Sequence, residues 1–310
     1  MIYITVLSPA LDVTYRIADL RSGRTYLDTE SRVEPAGKGI NVARVARLLG
    51  EQVTVVGLIP TYARQFVERF LQEHGIETLL LDRPGFVRVN ATVLETQGNV
   101  TTHFSSTDAF ENGTKAEEQL VGSVEKHARK GDFWILSGSL PGGMDPGLYR
   151  RIISLLHQRR ARVFLDSRDE PLSLALRAAP DMTKPNLREL EGFFGEELRG
   201  IHHIALKGKR LLDMGIGHVF VSLGEDGAIA LHEDDCLLCS PPRVQAHDSV
   251  GCGDAFVAGA VVGWNRRYSF PEMCRLAVAC GASNTLHPGP GNVRREEAES
   301  IMEEVGIEAV

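Results

Sequence analysis

Asp248-Ser-Val-Gly-Cys-Gly-Asp-Ala-Phe-Val-Ala-Gly259 brings two glycines, an acid and the start of a small-residue apolar run together within a dozen positions. Gly251 and Gly253 allow a tight turn without a Cβ penalty, and the run from Ala255 to Trp264 reads as a buried helix that begins just after it. A helix N-terminus presents free backbone N–H groups and a partial positive charge, so the N–H groups of Gly251, Cys252 and Gly253 form a candidate anion hole. Asp254 falls in the first helical turn, beside that anion. A carboxylate there suits phosphoryl transfer: the acid accepts the proton of the acceptor hydroxyl while the N–H groups stabilise charge on the moving group. A plain turn, with an acid that merely favours the helix dipole, would read the same way, so this stretch leaves both open.

Outward from that turn, short β-like runs alternate with helices of about twelve residues, the signature of an α/β chain with a mostly parallel sheet covered on both faces. Val53–Gly57, Phe133–Ser137, Val163–Asp166 and Val219–Leu223 read as strands. Thr61 to His74 reads as an amphipathic helix closed by Gly75. Thr114-Lys-Ala-Glu117 predicts a capping box opening a helix that ends at Gly131, and Asp145-Pro146 predicts an N-cap with proline at the first helical position. Three helices are expected after 223: one begun at Asp254, one near 271–286 and one from about 294 to 305. The N-terminus, Met1-Ile-Tyr-Ile-Thr-Val-Leu7, lacks a basic leader and reads as a first strand.

Two stretches break the alternation, at about 11–34 and 86–107, and both read as polar-faced strands. In Val87-Arg-Val-Asn-Ala-Thr-Val93 the residues Val87, Val89, Ala91 and Val93 point one way and Arg88, Asn90 and Thr92 the other. The apolar face is expected to pack and the polar face to meet water or ligand. Gln97-Gly-Asn99 supplies the hairpin turn. Strands inserted in this way predict a small sheet projecting from the main one, placed to cover a substrate.

Pro35-Ala-Gly-Lys-Gly-Ile-Asn41 is a second glycine-rich turn feeding a helix, stopped by Gly50. Lys38 and Asn41 suit a polyhydroxylated or phosphorylated ligand, although a solvated lysine and a capping asparagine would look alike. Neither loop has the spacing of a P-loop or a dinucleotide fingerprint, which excludes the dehydrogenase reading. In Lys184-Pro-Asn-Leu-Arg-Glu189, Asn186 and Glu189 form a capping pair, and Glu189 is also a candidate to orient the waters of a magnesium ion. Asp166, at a strand end, is the second such candidate. Ser137-Gly-Ser-Leu-Pro-Gly-Gly143, with Ser139, reads as a binding loop.

The formal net charge of -7 argues against a nucleic-acid or anionic-membrane partner, so an anionic substrate must be held by a few local basic groups. No apolar run near the active turn reaches the roughly 20 residues that a membrane span needs. An odd set of five cysteines points to reduced thiols, and the expected location is cytoplasmic. Cys236-Leu-Leu-Cys239 has metal-ligand spacing near His232 and His247, but the segment reads better as a short apolar strand than as a zinc site. Cys252 reads as a small side chain, and His202-His203 as helix surface.

Taken together, these stretches resemble the pfkB, or ribokinase-like, family of carbohydrate kinases along essentially the whole chain. Asp248–Asp254 looks like the family's C-terminal signature and Gly37-Lys-Gly-Ile-Asn41 its N-terminal one. Lys184–Glu189 is similar to its metal and nucleotide segment, and Ser222-Leu-Gly-Glu-Asp-Gly227 to its nucleotide-binding turn. The resemblance implies one kinase domain over 1–310, a three-layer α/β/α core with a β-sheet lid, and a homodimer formed through the lid. It implies Asp254 as catalytic base with Gly251, Cys252 and Gly253 as anion hole. The sugar site would comprise Asp12, Gly37, Lys38, Gly39 and Asn41, and the nucleotide site Lys184, Asn186, Ser222, Gly224 and Gly227, with ATP, Mg2+ and optionally K+ as cofactors. Ser137–Pro141 and Arg88-Val-Asn90 resemble the hexose-phosphate kinases of the family, with Arg88, Lys38 and Ser139 on the existing phosphate. The activity implied is transfer to a ketohexose phosphate, fructose 1-phosphate giving the 1,6-bisphosphate. Tagatose 6-phosphate or fructose 6-phosphate, an unphosphorylated sugar or nucleoside, and a catalytically silent sugar-binding regulator are the alternatives. Departures from the family pattern at Ser8, Ala36, Cys252 and Ala255 bear on the sugar more than on the chemistry.

Overall fold

The computed structural model describes every residue except 28, 99 and 109–112, so the last residue of the expected 97–99 turn lies outside the described residues. β1 (Ile2–Val6) enters the middle of the main sheet, and β2 (Ala10–Ile17) and β3 (Glu30–Ala36) leave it for the lid. After α1 (Lys38–Leu48) come β4 (Val53–Pro60), α2 (Arg64–Glu73) and β5 (Glu77–Arg83), and then the lid strands β6 (Arg88–Glu95) and β7 (Val100–Phe104). The chain returns through α3 (Gly113–His127), β8 (Phe133–Ser137), α4 (Leu148–Gln158), β9 (Arg162–Asp166), α5 (Asp169–Leu176) and β10 (Met182–Thr183). α6 (Leu187–Phe194), α7 (Ile201–Asp213) and β11 (His218–Ser222) follow, with β12 (Ala228–His232) and β13 (Asp235–Ser240) after them. It ends with α8 (Cys252–Asn265), α9 (Phe270–Thr285), α10 (Arg295–Glu304) and β14 (Gly306–Ala309).

The main sheet runs β14-β13-β12-β11-β10-β9-β8-β1-β4-β5, parallel from β11 to β5 and antiparallel across β12, β13 and β14. Its central strands are buried on both faces, which is why β4 reads as a nearly continuous apolar run, interrupted by Thr54. One core joins a face of the sheet to α1, α2, α8, α9 and α10, with Ile40, Val67, Val257, Leu276 and Ile301 inside it. The other joins the opposite face to α3 through α7, with Leu120, Ile152, Leu176, Leu190 and Leu211. This is the expected three-layer arrangement. Burying a Leu or Ile of this kind contributes about 1.5–3 kcal/mol, so the two cores hold the sheet rigid beneath the site. Among the described residues no helix is long and apolar enough to cross a membrane.

Several local expectations shift. Thr114 lies inside α3, and the Glu117 carboxylate accepts from the N–H of Asp145 (2.7 Å) instead of closing a capping box. Tertiary pairing outcompetes the local motif here, and α3 ends at His127, short of Gly131. Asp145 accepts from the N–H of Gly147 in a turn that precedes α4, so that helix starts two residues later than the Asp-Pro signal suggests. Cys236 and Cys239 lie three apart on β13 and face opposite sides of the sheet, one packing against each core.

The lid is a second sheet ordered β3-β2-β6-β7, with β2 and β6 parallel and Asp12 opposite Asn90. Its polar face, carrying Asp12, Arg88, Asn90 and His103, turns inward over the C-terminal ends of the main strands. The apolar face of β6 is buried at Val87 and Val93 but open at Val89, 49% exposed, next to the exposed Val33 and Phe104. This differs from the expectation that the whole apolar face packs: the sheet stands off the core, and among the described residues nothing covers its outer side at those positions.

Candidate active site

The C-terminal ends of β1, β8, β9, β10 and β11 converge under the lid, the place where open parallel sheets bind ligands. A cleft of about 1170 Å³ runs from Asp12, Arg88 and Asn90 past Lys38 and Asn41 to Ser222, Gly224 and Gly227. Drug-sized ligands occupy pockets of about 300–1,000 Å³, so there is room for two substrates end to end.

α1 and the turn before it place Gly37, Lys38, Gly39 and Asn41. Gly37 (φ 119°) ends the entry turn, and a Cβ on Gly39 would lie 2.2 Å from the Thr5 carbonyl oxygen, so only glycine lets α1 cross β1 this closely. That approach aims Asn41 at α8. Its Nδ2 donates to Asp254 Oδ2 at 2.8 Å, joining the two glycine loops across 213 positions.

Asp254 is buried, 5% exposed, in the first turn of α8. Burial pushes its carboxyl up to about 6, with Asp166 adding to the rise and Lys38, Asn41 and Lys184 opposing it. The group is therefore ionised at neutral pH yet basic enough to take a proton, the balance a general base needs. Gly251 caps α8 with φ 83°, and a Cβ there would meet Pro290 Cβ at 2.6 Å. Among the described residues the N–H groups of Gly251 and Gly253 have no hydrogen-bond acceptor, whereas that of Cys252 lies 3.4 Å from the Ser249 carbonyl oxygen. Gly251 and Gly253 are thus the better anion donors of the three. The Cys252 thiol is pushed up to about 11 by burial and is a neutral small group at physiological pH.

Lys184 Nζ would lie 3.3 Å from a Cβ on Gly253, so its ammonium sits at the edge of the anion cradle. Asp166, fully buried, joins Lys184 (3.4 Å) to Lys38 (3.1 Å). Burial alone would raise the Asp166 carboxyl, but the two ammonium groups outweigh it and hold it low. Burial likewise opposes the charge on Lys38, and Asp166, Asp254 and Glu189 reverse that, leaving its pKa raised. The result is two cations fixed in the cleft wall by one buried acid. On the lid, Asn90 Nδ2 donates to Asp12 Oδ1 (2.7 Å), and burial raises the Asp12 carboxyl. Arg88 donates to the carbonyl oxygens of Ser8 (3.3 Å) and Ser106 (3.4 Å) and pairs with no carboxylate among the described residues.

Of the residues singled out from sequence, Asp12, Gly37, Lys38, Asn41, Arg88, Asn90, Lys184, Asn186, Glu189, Ser222, Gly224, Gly227 and Gly251 through Asp254 line this one cleft. Gly39, Ser139 and Asp166 are not among the residues that line it. Asn186 and Glu189 form a full capping box at the start of α6. Sequence reading missed His103, Arg243 and the apolar wall of Val244, Val278 and Ala282. The alternation of β7 could have pointed to His103; the wall residues carry no local signal.

Among the described residues no three His, Cys, Asp or Glu side chains converge as a metal cage. Magnesium does not require one, because it keeps waters and binds through substrate phosphates and one or two carboxylates. Glu189, at the cleft wall beside Asn186, fits that role better than Asp166, whose oxygens face the two lysines.

Residues 10–297 match the pfkB family carbohydrate kinases. The chain belongs to that family. It is similar to the 1-phosphofructokinase of Vibrio cholerae (30% identical over 305 residues, 98% of this chain and 95% of the relative). The 1-phosphofructokinase of Escherichia coli K12 is 31% identical over 303 residues, 97% of this chain and 96% of its own. The solved structure of phosphofructokinase-2 from E. coli, in complex with potassium, superposes with a TM-score of 0.91 at 26% identity, covering 98% of each chain. As a pfkB carbohydrate kinase, this chain transfers a phosphoryl group to a sugar hydroxyl.

Proposed function

We propose that this kinase uses Mg2+·ATP to phosphorylate the free primary hydroxyl of a ketohexose phosphate, fructose 1-phosphate giving the 1,6-bisphosphate. The observation that carries the reading is Asp254: a buried carboxylate with a pKa near 6, oriented by Asn41, at the mouth of a helix N-terminus inside a two-substrate cleft. The 1-phosphofructokinase relatives support this choice of acceptor.

Asp12 and Asn41 orient the sugar hydroxyls, and Arg88, with Lys38, receives the phosphate already present. The Arg88 fork, satisfied among the described residues by carbonyl oxygens alone, gains charge-assisted bonds when a phosphate arrives. Mg2+, which Glu189 would hold through its waters, would neutralise charge on the nucleotide phosphates, and ATP is the donor of the γ-phosphoryl group. Asp254 takes the proton of the attacking hydroxyl as the new O–P bond forms and the bond to ADP breaks. The N–H groups of Gly251 and Gly253, with Lys184, hold the charge on the transferring oxygens. The apolar wall of Val244, Val278 and Ala282 accepts the base of the nucleotide, next to Ser222, Gly224 and Gly227.

The polar lid face closes over the sugar, and the outer apolar face at Val33, Val89 and Phe104 meets the same face of a second copy, giving a homodimer. A cytoplasmic location and a stimulating potassium ion belong to the same reading. The test is ADP release by the purified chain with Mg2+·ATP over a panel of fructose 1-phosphate, fructose 6-phosphate, tagatose 6-phosphate, fructose and ribose, each in K+ and in Na+. Turnover greatest on fructose 1-phosphate is expected. Turnover greatest on an unphosphorylated sugar, or none on any, would overturn the reading.

A further inference from the structure

The last turns of α9 carry a buried polar cluster that the chemistry above does not use. Asn284 is fully buried, yet its amide is satisfied on both sides. Nδ2 donates to the Val250 carbonyl oxygen (2.9 Å) and lies 3.5 Å from Cys252 Sγ, while Oδ1 accepts from the N–H of Asn292 (3.2 Å). One side chain therefore clamps the catalytic turn and the loop that carries Pro290, which is itself packed against Gly251. The next residue extends the grip, since the Thr285 carbonyl oxygen accepts from the N–H of His247 (2.7 Å) and of Asp248 (3.3 Å).

The bond to Val250 has a directional consequence. In a trans peptide the C=O and the following N–H point in opposite directions. Val250 and Gly251 share one such peptide, and the chain has no cis bonds among its described residues. Pulling the Val250 oxygen down onto α9 turns the Gly251 N–H up, into the cleft that Gly251 lines.

We propose that Asn284 is a positioning residue for the anion cradle: by fixing the Val250–Gly251 peptide plane it aims the Gly251 N–H at the transferring phosphoryl group. It never touches substrate. The inference rests on the reading of the cleft as a phosphoryl-transfer site. Without Asn284 the Val250 oxygen would lose this donor, and the peptide would gain freedom to rotate away.

The test compares Asn284→Ala and Asn284→Asp with Ser283→Ala in the full chain. Asn284→Asp keeps the shape and the acceptor for Asn292 but loses the donor to Val250. Ser283 is the control: it is buried in the same cluster, but its hydroxyl donates to Glu297 (2.6 Å) and accepts from the N–H of Arg294 (3.3 Å), away from the turn. Both Asn284 variants should lower kcat on fructose 1-phosphate by about 10–100-fold, within the range for losing one oxyanion donor, with KM changed by less than about twofold. Hydrogen exchange of the ligand-free protein should be about tenfold faster in both at the N–H groups of Val250 and Cys252, which are hydrogen-bonded within the turn. Ser283→Ala should melt earlier but keep wild-type kcat and turn protection. Wild-type kcat in either Asn284 variant, or exchange no faster than in Ser283→Ala, makes Asn284 merely structural and overturns the proposal. If the wild-type chain phosphorylates none of the sugars, the functional reading fails, and the exchange comparison still decides whether Asn284 holds the turn.

Discussion

Replacing Asp254 with Asn separates activity from stability, because the wild-type carboxylate is costly to the fold. Its pKa of about 6, against 3.8 for an ordinary aspartate, means that the unfolded chain ionises more readily than the folded one. At 1.36 kcal/mol per pKa unit the gap amounts to about 3 kcal/mol of destabilisation, present in full above pH 6, mostly relieved by pH 4 and gone well below 3.8, where both states are protonated. An Asn side chain still offers an oxygen to Asn41 Nδ2 and carries no charge. The variant should therefore melt higher than wild type at pH 8, with the difference mostly closed by pH 4, while kcat falls by about 10²–10⁴, the usual general-base contribution. Thermal unfolding at the two pH values and coupled ADP release at saturating fructose 1-phosphate are the measurements. Wild-type kcat should itself halve near pH 6, and fall to about a tenth at pH 5, as the base is titrated. A variant within about tenfold of wild-type turnover, or one that melts lower at pH 8, refutes the reasoning.

Arg88→Ala should raise KM for fructose 1-phosphate by about 10–100-fold with kcat little changed, as removal of a charged hydrogen bond to a bound phosphate implies; an unchanged KM in steady-state kinetics places the phosphate elsewhere. Asp166→Ala should lose about 3–5 kcal/mol to urea unfolding, because it strands the nearly buried Lys184 and the half-buried Lys38. The low pKa of Asp166 gives a stabilisation present above the ordinary carboxylate range and lost as the pH falls below it, so wild type and variant should converge in strong acid. Gly251→Ala combines a left-handed φ with the Pro290 contact and should destabilise by about 1–3 kcal/mol while lowering kcat, read by melting and by turnover. Val89→Glu puts a charge on the open lid face and should shift sedimentation from dimer to monomer; a chain that sediments unchanged would remove the lid interface.

Both glycine turns, the two helices that follow them and the lid strands were legible because each rests on a local rule: φ freedom at Gly37 and Gly251, and period-two alternation at Val87–Val93. The capping pair at Asn186 and Glu189 has the same local character. Thr114 and Glu117 show where such rules end, since the identical spacing lost to a long-range bond from Asp145. The apolar wall and the clamp by Asn284 escape sequence reading because their residues acquire meaning only through neighbours many positions away. Asp166 could be placed at a strand end, but that two lysines, one before it and one after it in sequence, would share it was not readable. The outer lid face was read as packed, because alternation reports which residues share a face and says nothing about what lies opposite it.

The bond from Asn41 to Asp254 also bears on how the molecule is made. α1 packs against α8, and Ile40, Ala43 and Val257 belong to one core. A ribosome that releases the chain from its N-terminus exposes the greasy side of α1 for more than two hundred residues of synthesis before its partner emerges. At 5–20 residues per second that wait is about 10–40 seconds, long enough for a chaperone to engage the nascent segment. A truncated or prematurely released product would therefore be both catalytically dead and sticky, so quality control could recognise it before any sugar does.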